Sequence, residues 1–288
     1  MNMRKIPVAG IAFVAPALVA FLLFKYYPLG HALWMSLFDY KIMDPPGAFV
    51  GFKHYIQLLT SASFWKIFNN TLIFFVLYTL MTFWIPIVQA LFLNEIKRAN
   101  MVYRVLYLAP TAVPAVAGFI LWKWLYNPDF GLLNYWLSRF SLGPYNWLND
   151  PQFVKYAIVF PGMLGGGISL LIYFSALRGI SPELVEAARI DGAGPWRVMS
   201  RIMLPGMRFV IGIQFVAFVS TSFLVFDPMY VMTAGGPMNE SKVLTMLVYD
   251  SAFTELRFGV AGAVSCIMFG VVGLITYAQL RLSKESAN

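Results

Sequence analysis

Residues 181–205 read SPELVEAARIDGAGPWRVMSRIMLP. The stretch carries three acids (Glu183, Glu186, Asp191) and three arginines (Arg189, Arg197, Arg201), and long apolar runs flank it on both sides. Ser181 suits a helix N-cap and Pro182 the first helical position. Glu183 then sits where the helix dipole favours an anion. Gly192 and Gly194 stop this helix, because glycine accepts the left-handed backbone that ends one. Pro195 starts a second short helix, which Pro205 is expected to close. Two short helices joined by glycines make an elbow between two apolar segments.

Outside the elbow the chain is markedly apolar. Of 288 residues, 59% are hydrophobic, 17% aromatic and 12% charged, with a mean hydropathy of +0.69. A soluble domain carries about 25% charged residues, so the composition is that of a membrane protein. Six runs lack any charged residue: 6–24, 71–93, 105–122, 156–177, 209–226 and 258–280. Each approaches the length that crosses roughly 30 Å of hydrocarbon at 1.5 Å per residue. Unpaired backbone in lipid costs several kcal/mol per group, which disfavours open β-structure. The expected fold is all-α, with six transmembrane helices. The first run is read as an uncleaved span ended by Lys25-Tyr26-Tyr27-Pro28, with Lys25 snorkelling to the boundary.

The formal charge is +8, yet no basic run points to nucleic acid. Orientation explains the charge better. With the N-terminus inside, twelve lysines and arginines fall on the inner segments and eight on the outer ones, with Lys25 left over. Outer segments hold eight acids against five inside. This bias places both termini and the elbow in the cytoplasm. The single cysteine, Cys266, excludes an internal disulfide and reads as a packing residue.

The elbow resembles the EAA loop of binding-protein-dependent ABC importer permeases. Glu186-Ala187-Ala188, three residues, Gly192, nine residues, then Ile202-x-Leu204-Pro205 reproduce that pattern at every position. The resemblance implies a type I permease fold. It implies that Glu186, Ala187, Ala188, Asp191 and Gly192 dock into a cleft of a partner ATPase subunit. The family further implies a second homologous permease, two ATPase subunits and an extracellular solute-binding protein, in the cytoplasmic membrane of a bacterium or archaeon, surrounded by lipid. ATP and magnesium then belong to the ATPase, and this chain carries no cofactor. The likeness divides the chain into 1–65 (first helix and outer amphipathic segment), 66–282 (permease core) and 283–288 (cytoplasmic tail). At the core entry, Phe49-Val50-Gly51 with Tyr55, Phe64-Trp65 and Asn70-Thr71 follow the family's form.

Three further stretches bear on a solute path. The fourth run contains Pro161-Gly162 and Gly165-Gly166-Gly167, read either as close helix packing or as opened backbone lining a path. In family members that import maltose the corresponding stretch lines the sugar site, which implies Gly165 and Ser169. In the fifth run Gln214, Phe218, Thr221, Ser222 and Val225 fall at helical spacing on one face. Aromatic and hydroxyl groups together suit a sugar, while helix–helix hydrogen bonding is the plainer reading. Thr233-Ala234-Gly235-Gly236-Pro237 looks like the T-x-G-G-P outer loop of the carbohydrate branch, which implies binding-protein contact at Gly235, Gly236 and Pro237; a plain turn is the alternative. The outer segment 126–155 reads either as a partner's resting place or as a solvated loop with short interfacial helices. Pro110 and Pro114 invite a kink in the third run.

No G-x-x-x-x-G-K-[ST] occurs, so any ATPase lies on another subunit and the chain is read as no enzyme itself. Nor do His31 and His54, far apart, suggest a metal site. An ion-coupled secondary transporter of a small polar solute is the alternative, weakened by the lack of acids within the apolar runs. The function expected is the permease subunit of an ATP-driven sugar importer.

Overall fold

The computed structural model describes residues 8–43, 45–96, 100–165 and 167–285. Arg4, Lys5, Lys97 and Arg98 of the charge count, Gly166 of the triglycine and the end of the expected tail, 286–288, lie outside the described residues. Along the chain come α1 (Val8–Phe21), a π-turn at Leu22–Tyr26, α2 (Tyr27–Met35), α3 (Lys53–Leu59), α4 (Ala62–Met81), α5 (Ile85–Glu95) and α6 (Asn100–Leu108). They are followed by α7 (Ala115–Leu125), α8 (Leu132–Ser138), α9 (Val154–Val159), α10 (Gly167–Arg178), α11 (Pro182–Ile190) and α12 (Pro195–Val198). A π-turn at Met199–Met203 leads to α13 (Leu204–Gly206) and α14 (Arg208–Phe223). The chain closes with α15 (Asp227–Thr233), α16 (Leu244–Tyr249) and α17 (Phe258–Glu285). Among the described residues pairing is limited to two isolated bridges, Phe38 with Phe49 and Lys41 with Arg257.

Four helical stretches are long and apolar enough to cross a membrane: Ala12–Met35, Ala62–Glu95, Arg208–Thr233 and Phe258–Arg281. Two bent pairs raise the number to six if each is one span. Met101–Ala112 meets Ala115–Leu125 at 92°, and Val154–Leu164 meets Gly167–Arg178 at 47°. The first bend falls where the prolines forecast it. Val113 is extended (φ −83°, ψ 130°) because the ring of Pro114 bars the preceding residue from helical backbone. At the second bend Gly165 is also extended (φ −126°, ψ 138°).

The first helical run does not stop at Lys25, as its charge suggested. It continues through Pro28 to Met35, with Lys25 inside the π-turn and its ammonium 5.5 Å from the Phe21 ring centroid. A charge ends a hydropathy run; it does not end a helix. The π-turn explains how Pro28 is tolerated. The Tyr27 amide bonds to Leu22 five residues back, and the widened turn accommodates a ring that would otherwise strike the carbonyl four residues earlier.

The chain forms two compact units, 1–64 with 247–270, and 65–246 with 271–288. In the first, Ser36 Oγ donates to the Leu33 carbonyl and meets the Tyr55 hydroxyl at 2.7 Å, tying α2 to α3. Gly262 lies so close to this turn that a Cβ would stand 2.7 Å from the Ala32 carbonyl. The second unit holds two apolar cores. One gathers Ile87, Leu91, Leu170, Tyr173, Phe174 and Leu177 from α5 and α10 with Phe83 from the turn before α5, Val198 and Met203 of the elbow, and Met207 just after it. The other gathers Phe74, Val154, Ile158, Met229, Met232 and Met246.

Candidate functional site

The elbow forms as two helices joined by glycines. Ser181 occupies the N-cap position, but its side chain makes no capping hydrogen bond. The end of α11 is a complete Schellman turn. Gly192 is left-handed (φ +80°), its amide donates to the Arg189 carbonyl, and the Ala193 amide donates to Ala188 at 2.9 Å. Gly194, extended, caps α12. Pro205 does not close the second helix. A π-turn stands before it, as before Pro28, and the Leu204 amide reaches Met199 so that α13 carries on through the proline.

Side chains divide sharply on this elbow. Val185, Ala188, Ala193, Met199 and Leu204 pack against the α5–α10 core. Glu186, Ala187, Asp191 and Gly192 are exposed. So are Leu184, Ile190 (87% exposed) and Trp196 (77%), three large apolar groups left uncovered by the described residues. The sequence reading passed over these three, although their place outside the packed face was there to be counted. Arg189 donates to both carboxylate oxygens of Glu95 at 3.2 and 3.1 Å, tying α11 to the end of α5. This pair is well exposed and contributes about 0.2–1 kcal/mol, so burial of the apolar face holds the elbow. A cavity of about 300 Å³ under it is lined by Asn94, Glu95, Arg178, Val185, Glu186 and Arg189, among others.

The seven residues expected on a solute path fall around two cavities. One, about 460 Å³, is lined by Phe218, Thr221, Ser222 and Val225 together with Tyr78, Phe119 and Asp227. The other, about 180 Å³, is lined by Gly165, Ser169, Gln214 and Phe218 with Thr82 and Tyr173. Phe218 is common to both. Gln214 Nε2 donates to Ser169 Oγ at 3.3 Å across the second. Thr221 spends its hydroxyl proton on the Ala217 and Phe218 carbonyls. Ser222 is buried and faces the larger cavity. Val225 does not share the helical face, because α14 ends at Phe223 and Leu224 caps it; it lines the cavity from the link to α15. Asp227 escaped the sequence reading because it stands just past the charge-free run. The glycines separate by role: a Cβ on Gly162 would meet Thr82 Cγ2 at 3.0 Å, whereas one on Gly165 would meet nothing within 4 Å. Close packing belongs to the first and open backbone to the second.

The loop 233–243 is held by an internal network. Thr233 Oγ1 meets Ser241 Oγ at 2.7 Å, and Ser241 Oγ donates to the Gly236 carbonyl at 2.7 Å. Asn70 Nδ2 donates to the Asn239 carbonyl at 2.7 Å, and Lys66 Nζ to that of Met238 at 2.9 Å. Glu240 receives both Lys155 and Lys66. Their hydrogen bonds, Lys155's foremost, hold its carboxyl below the usual carboxylate range. Gly235 is buried, with Met246 Cε and Lys242 Cβ 3.2 and 3.3 Å from where a Cβ would stand. Gly236 and Pro237 are half-buried. The exposed tip is Met238 (73% exposed) and Asn239, both left-handed, one turn beyond the residues singled out from the motif.

Comparison with known proteins bears on this arrangement. Residues 83–284 match the family described as "Binding-protein-dependent transport system inner membrane component". The chain is 30% identical over 277 residues to the trehalose/maltose transport system permease protein MalF of Thermococcus litoralis, covering 96% of this chain and 93% of that protein. It is 32% identical over 278 residues to the sn-glycerol-3-phosphate transport system permease protein UgpA of Salmonella typhimurium, covering 93% and 91%. A crystal structure of a bacterial ABC transporter involved in the import of the acidic polysaccharide alginate contains a chain of the same fold. Its TM-score is 0.85 at 24% identity, covering 95% of this chain and 94% of that one.

Proposed function

This chain belongs to the binding-protein-dependent transport system inner membrane components, as a permease of the sugar-type ABC importers, and from that premise we propose that it forms half of an ATP-driven path for a neutral sugar, worked through the 181–205 elbow. The observation that carries the proposal is the pairing of two features. Seven path residues surround cavities that share Phe218, and α14, which lines both, rises from an elbow whose exposed face is apolar and acidic. Solvent-facing Ile190 and Trp196 beside Glu186 are what a docking partner would cover.

In this reading a partner ATPase grips Glu186, Ala187, Asp191 and Gly192, with Ile190 and Trp196 as anchors. ATP binding on that partner closes the ATPase pair and moves the elbow together with that of a second permease. The helices then open toward the outside. A binding protein at the Met238–Asn239 tip, shaped by Gly235, Gly236 and Pro237, delivers the sugar. Aromatic faces of Tyr78, Phe119 and Phe218 cover its C–H patches, and Ser222, Gln214, Ser169 and Asp227 meet its hydroxyls. Hydrolysis returns the path inward. The elbow, the amino end and the carboxyl end lie in the cytoplasm of a bacterial or archaeal cell.

The test is Glu186→Lys in the assembled transporter. Placing a like charge against a basic cleft costs about 2–5 kcal/mol, so the variant inserts normally, no longer co-purifies with the ATPase and transports nothing. Full transport by this variant would sink the assignment. So would uptake that survives ATP depletion and is abolished by an ionophore.

A further inference from the structure

The geometry points to a binding site for the phosphate of an anionic phospholipid, formed by Arg104 of α6 and Arg178 of α10 at the root of the elbow. Phe174 is buried in the core, and both guanidiniums rest on its ring. The Arg104 carbon lies 4.2 Å from the ring centroid and that of Arg178 lies 5.0 Å away. Cation–π contact holds two positive groups against one ring without neutralising either. Among the described residues neither makes an ion pair. Glu95 is taken by Arg189, and Glu186, on the same cavity wall as Arg178, makes no bridge to it.

The Nε of Arg104 is buried and has no hydrogen-bond partner. A buried donor left unmet is unfavourable, and a phosphate oxygen would satisfy it while the planar forks of both arginines bind the rest. The depth is that of lipid headgroups. Arg104 stands immediately before the charge-free run 105–122 and Arg178 immediately after the run 156–177, so each marks a boundary of the hydrocarbon. A free phosphate ion has the same chemistry, but only a lipid is held at that depth. Bound there, the headgroup clamps α6 to the last turn of α10, three residues before Ser181. The inference needs membrane insertion alone and stands apart from the sugar reading.

The full chain, with its partner subunits, is reconstituted in nanodiscs and released for native mass spectrometry against phosphatidylglycerol and phosphatidylcholine. Wild type should retain phosphatidylglycerol on the order of tenfold more strongly. Arg104→Gln with Arg178→Gln should reduce it to the phosphatidylcholine level, and Arg→Lys at both positions should retain part of the preference. Should the glutamine variant not fold, thermal stabilisation of wild type decides: phosphatidylglycerol should raise its melting temperature at low salt and lose the effect in 0.5 M KCl (about a 4 Å screening length). Equal retention of both lipids overturns the proposal. Unchanged phosphatidylglycerol binding in the glutamine variant does so too, as does equal protection by millimolar inorganic phosphate.

Discussion

Gly192 carries the turn of the elbow on backbone conformation alone. Its φ is +80° and a Cβ there would meet nothing within 4 Å, so a side chain has room but not the right backbone. Gly192→Ala should destabilise the end of α11 by about 1 kcal/mol. Faster amide exchange at Ala193, whose proton bonds to Ala188, would register the loss. Ser222 poses the opposite case, a side chain whose role is spatial. Ser222→Leu fills part of a 460 Å³ cavity and should alter sugar affinity or range while ATPase stimulation persists; an unchanged transport profile removes Ser222 from the path. Single residues were legible where periodicity governs them. Gln214, Phe218, Thr221 and Ser222 lie on one helix as their spacing indicated, whereas Val225 falls beyond it because nothing in the composition announces a cap at Leu224. Gly235 was read as a contact because its motif is visible and its burial under Lys242 is not.

Elements show a rule that single residues hide. Pro28 and Pro205 both looked like stops, and both lie inside helical runs that pass through a π-turn just before them. The sequence carries the proline but not the extra residue in the turn, so these boundaries were illegible, while the break at Pro114 was legible through the backbone limits on Val113. The 233–243 loop is the other element with a testable hold. Glu240 links it to Lys66 near the start of α4 and Lys155 in α9. Glu240→Gln should speed amide exchange across 236–242 severalfold, a loss of about 1 kcal/mol for a partly exposed pair. The sign with pH follows from the lowered carboxyl. The clamp is present above the ordinary carboxylate value of 4.5 and is lost only as the pH falls below it, through the folded value. The glutamine variant should lack that acid step in an exchange-against-pH series.

For the whole molecule, the apolar runs gave the all-helical membrane class, because hydrocarbon leaves the backbone so few choices. Grouping into two compact units was not readable, since 247–270 joins 1–64 across nearly two hundred residues. Sidedness is testable directly. In a Cys266→Ser background, a cysteine at Ala187 should react with a membrane-impermeant maleimide only from the cytosolic side, and one at Met238 only from outside. Labelling of Ala187 from outside would reverse the molecule and remove the elbow from any ATPase.

From Pro195 to Phe223 the chain is helical apart from one turn at Met207. Trp196, near one end, is exposed; Phe218, twenty-two residues on, lines both cavities. At 1.5 Å per residue, roughly 30 Å of connected backbone joins them. Were the proposed partner to grip the indole, its pull would reach the chamber wall along that backbone, leaving motor and cargo a bilayer apart.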